Sequence, residues 1–167
     1  VIALGKEGED EQSLLDIAKM SREATERMRD IVWAMDSSKD KFQNLVDRMN
    51  DVALATLAPL GIKFNFEVNT IDLTEFISPN KRKEIHLIFK EALTNITKHS
   101  NASLVKVAFK KVKDKIQLII SDNGTDIPSQ KSDGVGLSNM KRRARTIGGD
   151  LSYENTDGFT IRLSFDA

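Results

Sequence analysis

The sequence predicts an α+β fold: a two-layer α/β sandwich, in which a mixed, mostly antiparallel sheet carries helices on one face, preceded by a long N-terminal helix. Three observations predict it. Leu14, Ile17, Ser21, Ala24, Met28, Ile31 and Met35 recur in alternating steps of three and four, the spacing of a helical seam. Residues 62–68 (IKFNFEV) alternate apolar and polar, as a half-buried strand does, and so do Phe159, Ile161, Leu163 and Phe165. Strand patterns also follow one another directly near the C-terminus, which favours adjacent antiparallel strands over strict strand–helix alternation.

Each element has its own signal. Residues 1–10 (VIALGKEGED) are glycine-bearing and acidic and are expected to fray. The seam from residue 11 to Met35 calls for a partner helix, and the small Ser21 and Ala24 allow one to approach closely. Asp36-Ser37-Ser38 breaks the pattern and offers N-cap oxygens to a second helix. That helix carries Phe42, Leu45, Val46, Met49 and Val52 and ends at Pro59-Leu60-Gly61. Ser78-Pro79 starts a third helix running to about Ser100, with Ile85, Phe89, Ala92, Leu93 and Ile96 on its apolar face. Residues 103–109 and 115–121 read as a hairpin across Lys113-Asp114. A polar loop (122–136) leads to a basic helix over about 137–147, closed by Gly148-Gly149. Leu151–Glu154 and Phe159–Phe165 form a last hairpin around Asp157-Gly158.

Composition narrows the function classes. Lys+Arg and Asp+Glu are equal at 25 each, so the basic excess expected of a general nucleic-acid binder is missing. There is no Cys, which excludes disulfides and thiolate metal sites, and two His residues argue against a His-rich metal site. No apolar run is long enough for a membrane span, and no signal peptide is present. The chain opens on Val1 rather than Met, so a piece of a longer protein is expected.

Three segments can carry chemistry. In Glu91-Ala-Leu-Thr-Asn95-Ile-Thr-Lys98-His99, the spacing places Glu91, Asn95 and Lys98 on one helical stripe, with His99 at its edge and the apolar face beside it. An acid and an amide four apart can hold a hard cation or its waters, and a lysine beside them can neutralise phosphate. The same stripe is also what an ordinary amphipathic helix shows, with an i,i+4 polar pair and dipole-favoured Lys and His at its end. Asp122, at the end of an apolar strand, can accept from an amine, and Gly124 lets a flat ring approach bare backbone; a solvated Asp-Asn-Gly turn is the alternative. Gly134-Val135-Gly136-Leu137 leads into a helix, whose first amides bind phosphate oxygens, with Lys141-Arg142-Arg143 and Arg145 adding positive charge. It lacks both the Gly-Lys-Ser/Thr ending of a Walker-type loop and a βαβ frame.

Taken in order, EALTNITKHSNA, DNGTDIP, GVGLSNMKRRA, a Gly-Gly pair and the DGFTIRL strand closely resemble the ATP-binding catalytic domain of sensor histidine kinases of two-component systems. This family belongs with gyrase-, Hsp90- and MutL-type ATPases. The resemblance covers residues 60–167. Lys98-His99-Ser100-Asn101-Ala102 and the short link from Asp122 to Gly134 resemble the kinase branch with a small nucleotide lid. Residues 11–50, ending in RDIVWAMD, resemble the second helix of that subgroup's dimerisation and phosphotransfer hairpin.

The resemblance implies a Bergerat-type ATP-binding fold over 51–167, with 1–50 a partial dimerisation element. It implies that Asn95 ligates Mg²⁺ on the ATP phosphates and that Glu91 holds the metal's water or assists proton removal. It further implies that Lys98 and His99 contact phosphates, and that Asp122 reads the adenine amine with Gly124 supporting the ring. Gly134, Gly136 and Leu137 form the phosphate-side loop, and Thr160 lies near the adenine, facing Asp122. The implied cofactors are ATP and Mg²⁺. The implied partners are a second copy of the parent through the N-terminal helix and a response regulator receiver domain, with no nucleic acid and no membrane contact by this portion. It is expected in the cytoplasm whether or not its parent is membrane-anchored.

Two departures stand out. Asp126 occupies the position of a second family glycine and places negative charge near the cleft. The family's acceptor His, followed by an acid on a first dimerisation helix, has no counterpart: His86 shares a helix with Asn95, and His99 belongs to the Asn-containing motif. The chain as given is therefore not expected to phosphorylate itself. A nucleotide-binding regulatory or dimerisation module without kinase activity is the rival reading; a hydrolytic ATPase would need a longer lid.

Overall fold

The computed structural model describes residues 3–125 and 134–166. The chain divides into two compact units, Val1–Asp36 and Ser37–Ala167.

The first unit is one helix, α1 (Ala3–Met35). The segment expected to fray is helical from Ala3 onward. Gly5 and Gly8 each oppose a helix by about 1 kcal/mol relative to alanine, but extending a formed helix is far easier than nucleating one, and the residues around them are good helix formers. The seam is laid out as the spacing predicts, and its large residues are exposed, from 49% at Ile31 to 72% at Met35.

The second unit begins with a short 3-10 turn at Ser37–Lys39, then α2 (Phe42–Leu57) and a second such turn at Ala58–Leu60. The Asp-Ser-Ser sequence does not cap α2. The N-cap is Lys41, with no side-chain cap. The first amides of α2 are met instead by a distant loop: Phe42 N–H donates to the Glu75 carbonyl (2.9 Å) and Gln43 N–H to the Leu73 carbonyl (2.9 Å). Backbone carbonyls there do the work of a cap residue. The compact division thus falls earlier than the expected boundary after residue 50, and all of α2 packs within the second unit.

The remaining elements follow the sequence pattern closely. They are β1 (Lys63–Asn69), α3 (Pro79–His99), β2 (Leu104–Val112), β3 (Lys115–Asp122), α4 (Val135–Thr146), β4 (Asp150–Asn155) and β5 (Phe159–Asp166). The sheet order is β1-β2-β3-β5-β4. β1 and β2 pair in parallel across the α3 crossover, and every other pair is antiparallel. This is the expected mixed, mostly antiparallel sheet.

One face of the sheet is buried. Val105, Val107 and Phe109 of β2, Ile116, Leu118 and Ile120 of β3, and Ile161, Leu163 and Phe165 of β5 meet the helices on that face. The helices contribute Phe42, Leu45 and Met49 of α2, Ile85, Ile88, Phe89 and Leu93 of α3, and Met140 and Ala144 of α4. Each large side chain fully buried there is worth about 1.5–3 kcal/mol. Phe42 meets Phe109 edge-to-face at 5.0 Å.

Two buried charges brace the N-terminal half of α3. Arg82 Nη1 donates to Asp40 Oδ1 (2.7 Å), in the connection before α2. Glu84 accepts from Arg143 of α4 (2.7 Å) and pairs with Lys83 (2.9 Å). Burial alone would raise the Glu84 carboxyl; the bonds from Lys83 and Arg143 outweigh it and hold the carboxyl below its usual range.

The start of α3 matches its sequence signal: Ser78 Oγ accepts the Lys81 N–H (3.3 Å), with Pro79 in the first turn. Ser78→Ala is expected to lower the stability of the second unit by about 1 kcal/mol, whereas Ser78→Gly lowers it by only a few tenths. Urea denaturation curves of the two variants check this.

Candidate functional site

The site is built along the C-terminal half of α3. Helical spacing sets Glu91 and Asn95 on one shoulder, both half-buried, while Lys98 and His99 are exposed in the last turn. The start of α4 lies directly against the shoulder. A Cβ at Gly136 would overlap Glu91 Oε1 and sit 3.5 Å from Asn95 Oδ1. A side chain at 136 would displace the Glu91 carboxylate from its place against the first turn of α4. The Glu91 carboxylate also lies at the electropositive end of α4, which favours an anion. Gly134 is the N-cap of α4 and is exposed; Leu137 follows, half-buried.

The end of α3 meets the end of β3. A Cβ at Gly124 would overlap the Ser100 carbonyl, so backbone lies on backbone there. At about 1.5 Å per residue, Glu91 and Ser100 are roughly 14 Å apart along the helix. The two glycine contacts thus lie at two ends of the C-terminal half of α3.

Asp122 lies at the second of these ends and is only 6% exposed. Its Oδ1 accepts the Gly124 N–H (2.8 Å), and its Oδ2 is buried without a hydrogen-bond partner. Burial raises its carboxyl above the ordinary range, against the opposing pull of the Gly124 amide, the Ser100 hydroxyl and the Phe159 amide. A half-satisfied buried carboxylate is what a ligand amine would complete. The alternative of a solvated Asp-Asn-Gly turn does not hold. Asn123 is a clasp: its Oδ1 accepts from the Ser103 and Leu104 amides (3.0 and 2.9 Å), and its Nδ2 donates to Ser103 Oγ (3.0 Å).

Thr160 does not stand where the resemblance put it. It pairs with Ser121 across β3 and β5. Directly paired residues share a face, and neighbours along a strand alternate. Thr160 therefore lies on the open face with Ser121 and Arg162, and the β5 residue opposite Asp122 is Phe159. Asp126, the expected source of extra negative charge, lies outside the described residues. Sequence reasoning missed Ser100, Asn123 and Phe159. The partners of Asn123 lie some twenty residues upstream, which no local pattern shows. Counting back by two from the buried Ile161 would have found Phe159.

Two stability effects follow from this geometry. Gly124→Ala is expected to destabilise the second unit by about 3 kcal/mol, the upper end for overpacking, because the obstacle is a backbone carbonyl. Asp122 acts through pH. Burial raises its folded pKa above that of the unfolded chain, so in the window between the two values the folded state holds more protons than the unfolded state. Stability therefore falls as pH rises through that window. Asp122→Asn should gain stability relative to the wild type on going from pH 4 to pH 7, read from urea midpoints at the two values.

Comparison with known proteins agrees with this arrangement. The model of the family described as "Histidine kinase-, DNA gyrase B-, and HSP90-like ATPase" matches residues 80–167. Among curated relatives, sensor histidine kinase YvfT of Bacillus subtilis (strain 168) is 32% identical over 99 residues, covering 59% of this chain and 27% of that protein. Sensor histidine kinase YxjM of the same organism is 26% identical over 161 residues, 92% of this chain and 37% of that protein. The histidine-protein kinase/phosphatase DegS of Brevibacillus brevis is 30% identical over 158 residues, 85% and 41%. The chain thus spans about a quarter to two-fifths of these relatives' length. Among solved structures, the histidine kinase domain of a blue-light activated histidine kinase from Erythrobacter litoralis EL346 has a TM-score of 0.67 at 18% identity, covering 84% of this chain and 71% of that one. The catalytic domain of histidine kinase ThkA has a TM-score of 0.62 at 15% identity, with 75% and 93% covered. With the family model matched over more than half of its length, the chain belongs to the histidine kinase-, DNA gyrase B- and HSP90-like ATPases, as a histidine kinase ATP-binding catalytic domain.

Proposed function

We propose that the C-terminal half of α3, with the end of β3 and the start of α4, binds Mg²⁺·ATP and presents its γ-phosphoryl group to a His on a dimerisation helix outside these 167 residues. From there the phosphoryl group passes to an Asp of a response regulator receiver domain. The observation that carries this reading is what stands at the two ends of this half of α3: an acid and an amide against a helix start at one, an incompletely bonded buried carboxylate at the other.

Each residue then has a role its chemistry supports. Asp122 Oδ2 accepts from the adenine amine, while the Gly124 N–H, bonded to Oδ1, holds the carboxylate in place. The backbone of Gly134, Gly136 and Leu137, at the start of α4, meets phosphate oxygens. Lys98 and His99 neutralise phosphate charge. Asn95 supplies an amide oxygen to Mg²⁺, and Glu91 orders its water or takes the proton released by the attacking imidazole. When bound, Mg²⁺ neutralises charge on the phosphate oxygens. The step itself forms a P–N bond and breaks the bond to the ADP oxygen, so the domain contributes positioning and electrostatics rather than covalent chemistry. His86 is buried in α3 and His99 belongs to the phosphate side, so neither serves as acceptor.

The first unit, α1, acts as part of the dimerisation element. The exposed seam of α1 supports a partner helix, which in a dimer comes from the parent's second copy. Among the described residues no helix is long and apolar enough to cross a membrane, and we place this portion in the cytoplasm.

Titration with ATP and MgCl₂ is expected to raise the melting temperature by several degrees once ligand reaches about 100 times its dissociation constant, equivalent to about 2.7 kcal/mol. Asn95→Ala should remove the magnesium-dependent part of that rise, and Asp122→Asn should remove most of the whole. Absence of any shift at millimolar ATP would instead favour a dimerisation module without kinase activity.

A further inference from the structure

The residue facing Asp122 from the neighbouring strand is an aromatic ring. The β3–β5 ladder ends at Ser121 and Thr160; one further step of the same register sets Phe159 opposite Asp122, and the Phe159 amide acts on the Asp122 carboxylate. Phe159 is only half-buried, unlike Ile161, Leu163 and Phe165, which continue the same face of β5 into the core. Its ring leans on Tyr153 of β4, with centroids 5.6 Å apart and planes inclined at 32°. Lys141 of α4 sets its ammonium over the Tyr153 ring at 5.0 Å. A row of Phe159, Tyr153 and Lys141 thus runs outward from Asp122 across β5, β4 and α4.

We propose that Phe159 is the base-stacking residue of the nucleotide site, with Tyr153 and Lys141 positioning its ring. Two observations meet here. Asp122 Oδ2 is a buried acceptor without a donor, and the ring beside it keeps part of its surface out of the core. A planar base bearing an exocyclic amine satisfies both, giving its amine to the carboxylate and its π-face to the ring. The division of labour is clear: the carboxylate selects the amine, while the ring adds affinity that any purine can use. Tyr153 is itself 40% exposed and is held by the Lys141 cation, so the ring pair keeps its inclination without a closed core around it.

This inference rests on the reading that the cleft takes an adenine nucleotide, and calorimetric titration of ATP and of ADP, each with Mg²⁺, separates the two. Phe159→Leu keeps apolar volume and removes the ring. It is expected to weaken ATP and ADP binding by the same factor, roughly five- to a hundred-fold, leaving the ATP-to-ADP affinity ratio unchanged. Phe159→Tyr should bind both within about three-fold of the wild type, since stacking strength follows the ring. Asn95→Ala, by contrast, should change the ratio. Wild-type ATP affinity in Phe159→Leu, tighter binding in that variant, or equal losses in Phe159→Leu and Phe159→Tyr would overturn the stacking role and leave the nucleotide reading intact. Failure of the wild type to bind either nucleotide would overturn both. The melting temperatures of the ligand-free variants give the folding control.

Discussion

The close approach of helix α3 to the end of β3 is the constraint on which the rest of the site depends. The Ser100 carbonyl occupies the space a side chain at position 124 would need. The height of α3 above the sheet is set elsewhere, by Ile85, Ile88, Phe89, Leu93 and Ile96 packed on the inner residues of β2, β3 and β5. Interiors this dense do not yield by an ångström without loss. A bulkier residue at 124 would therefore have to lift the helix or push the loop away. Either change moves Asp122 relative to Glu91 and Asn95, which stand on the same rod. The glycine at 136 makes a softer contact, with the Glu91 carboxylate, which can turn aside where the Ser100 carbonyl cannot. The absent side chain at 124 thus helps fix the distance between Asp122 and the Glu91–Asn95 shoulder.

The charges buried around α3 divide along the same axis. At its N-terminal end Arg82 is matched by Asp40, and Glu84 by Arg143 and Lys83. These groups are paired within the protein, and they tie α3 to the segment before α2 and to α4. At the C-terminal end Asp122 has one oxygen bonded and one bare. A buried acceptor left unmatched opposes folding. The sandwich tolerates it because the apolar layer is large and the neighbouring strands are fully paired. The opposite directions of the Glu84 and Asp122 shifts express the same contrast: one carboxyl is completed by the fold, the other waits for a donor.

Much of this was legible in the sequence. The strict alternation of IKFNFEV and of Phe159 to Phe165, the Ser-Pro start of α3 and the Asp-Gly turn before β5 gave elements close to those observed, because each signal is local. The lettered motifs also located Glu91, Asn95, Asp122 and Gly136 in one region. What the sequence hid depends on distant pairing. The start of α2 is capped by carbonyls at positions 73 and 75, so serines close by were a misleading guide. Asn123 looked like a turn residue because the amides it binds belong to the beginning of another strand. Thr160 was misplaced by one residue, and in a strand one residue is the difference between two faces. The register with Ser121 decides it, and register appears only once two strands are laid side by side.

The two units show the limit of periodicity from another side. α1 and α2 carry apolar residues at the same alternating steps, yet their fates differ. Phe42, Leu45, Met49, Ala53 and Leu57 of α2 are buried, because a sheet with an apolar face lies beneath them. Leu14, Ile17, Met28, Ile31 and Met35 of α1 are exposed. Spacing states that a helix has a face to cover and is silent about what covers it. For α2 the cover comes from within the chain, and the helix becomes part of the catalytic unit although its pattern continues that of α1. For α1, exposed side chains of this size are stabilised only by an apolar partner beyond those described. A helix with the same apolar spacing meets that need with the same chemistry as the seam itself.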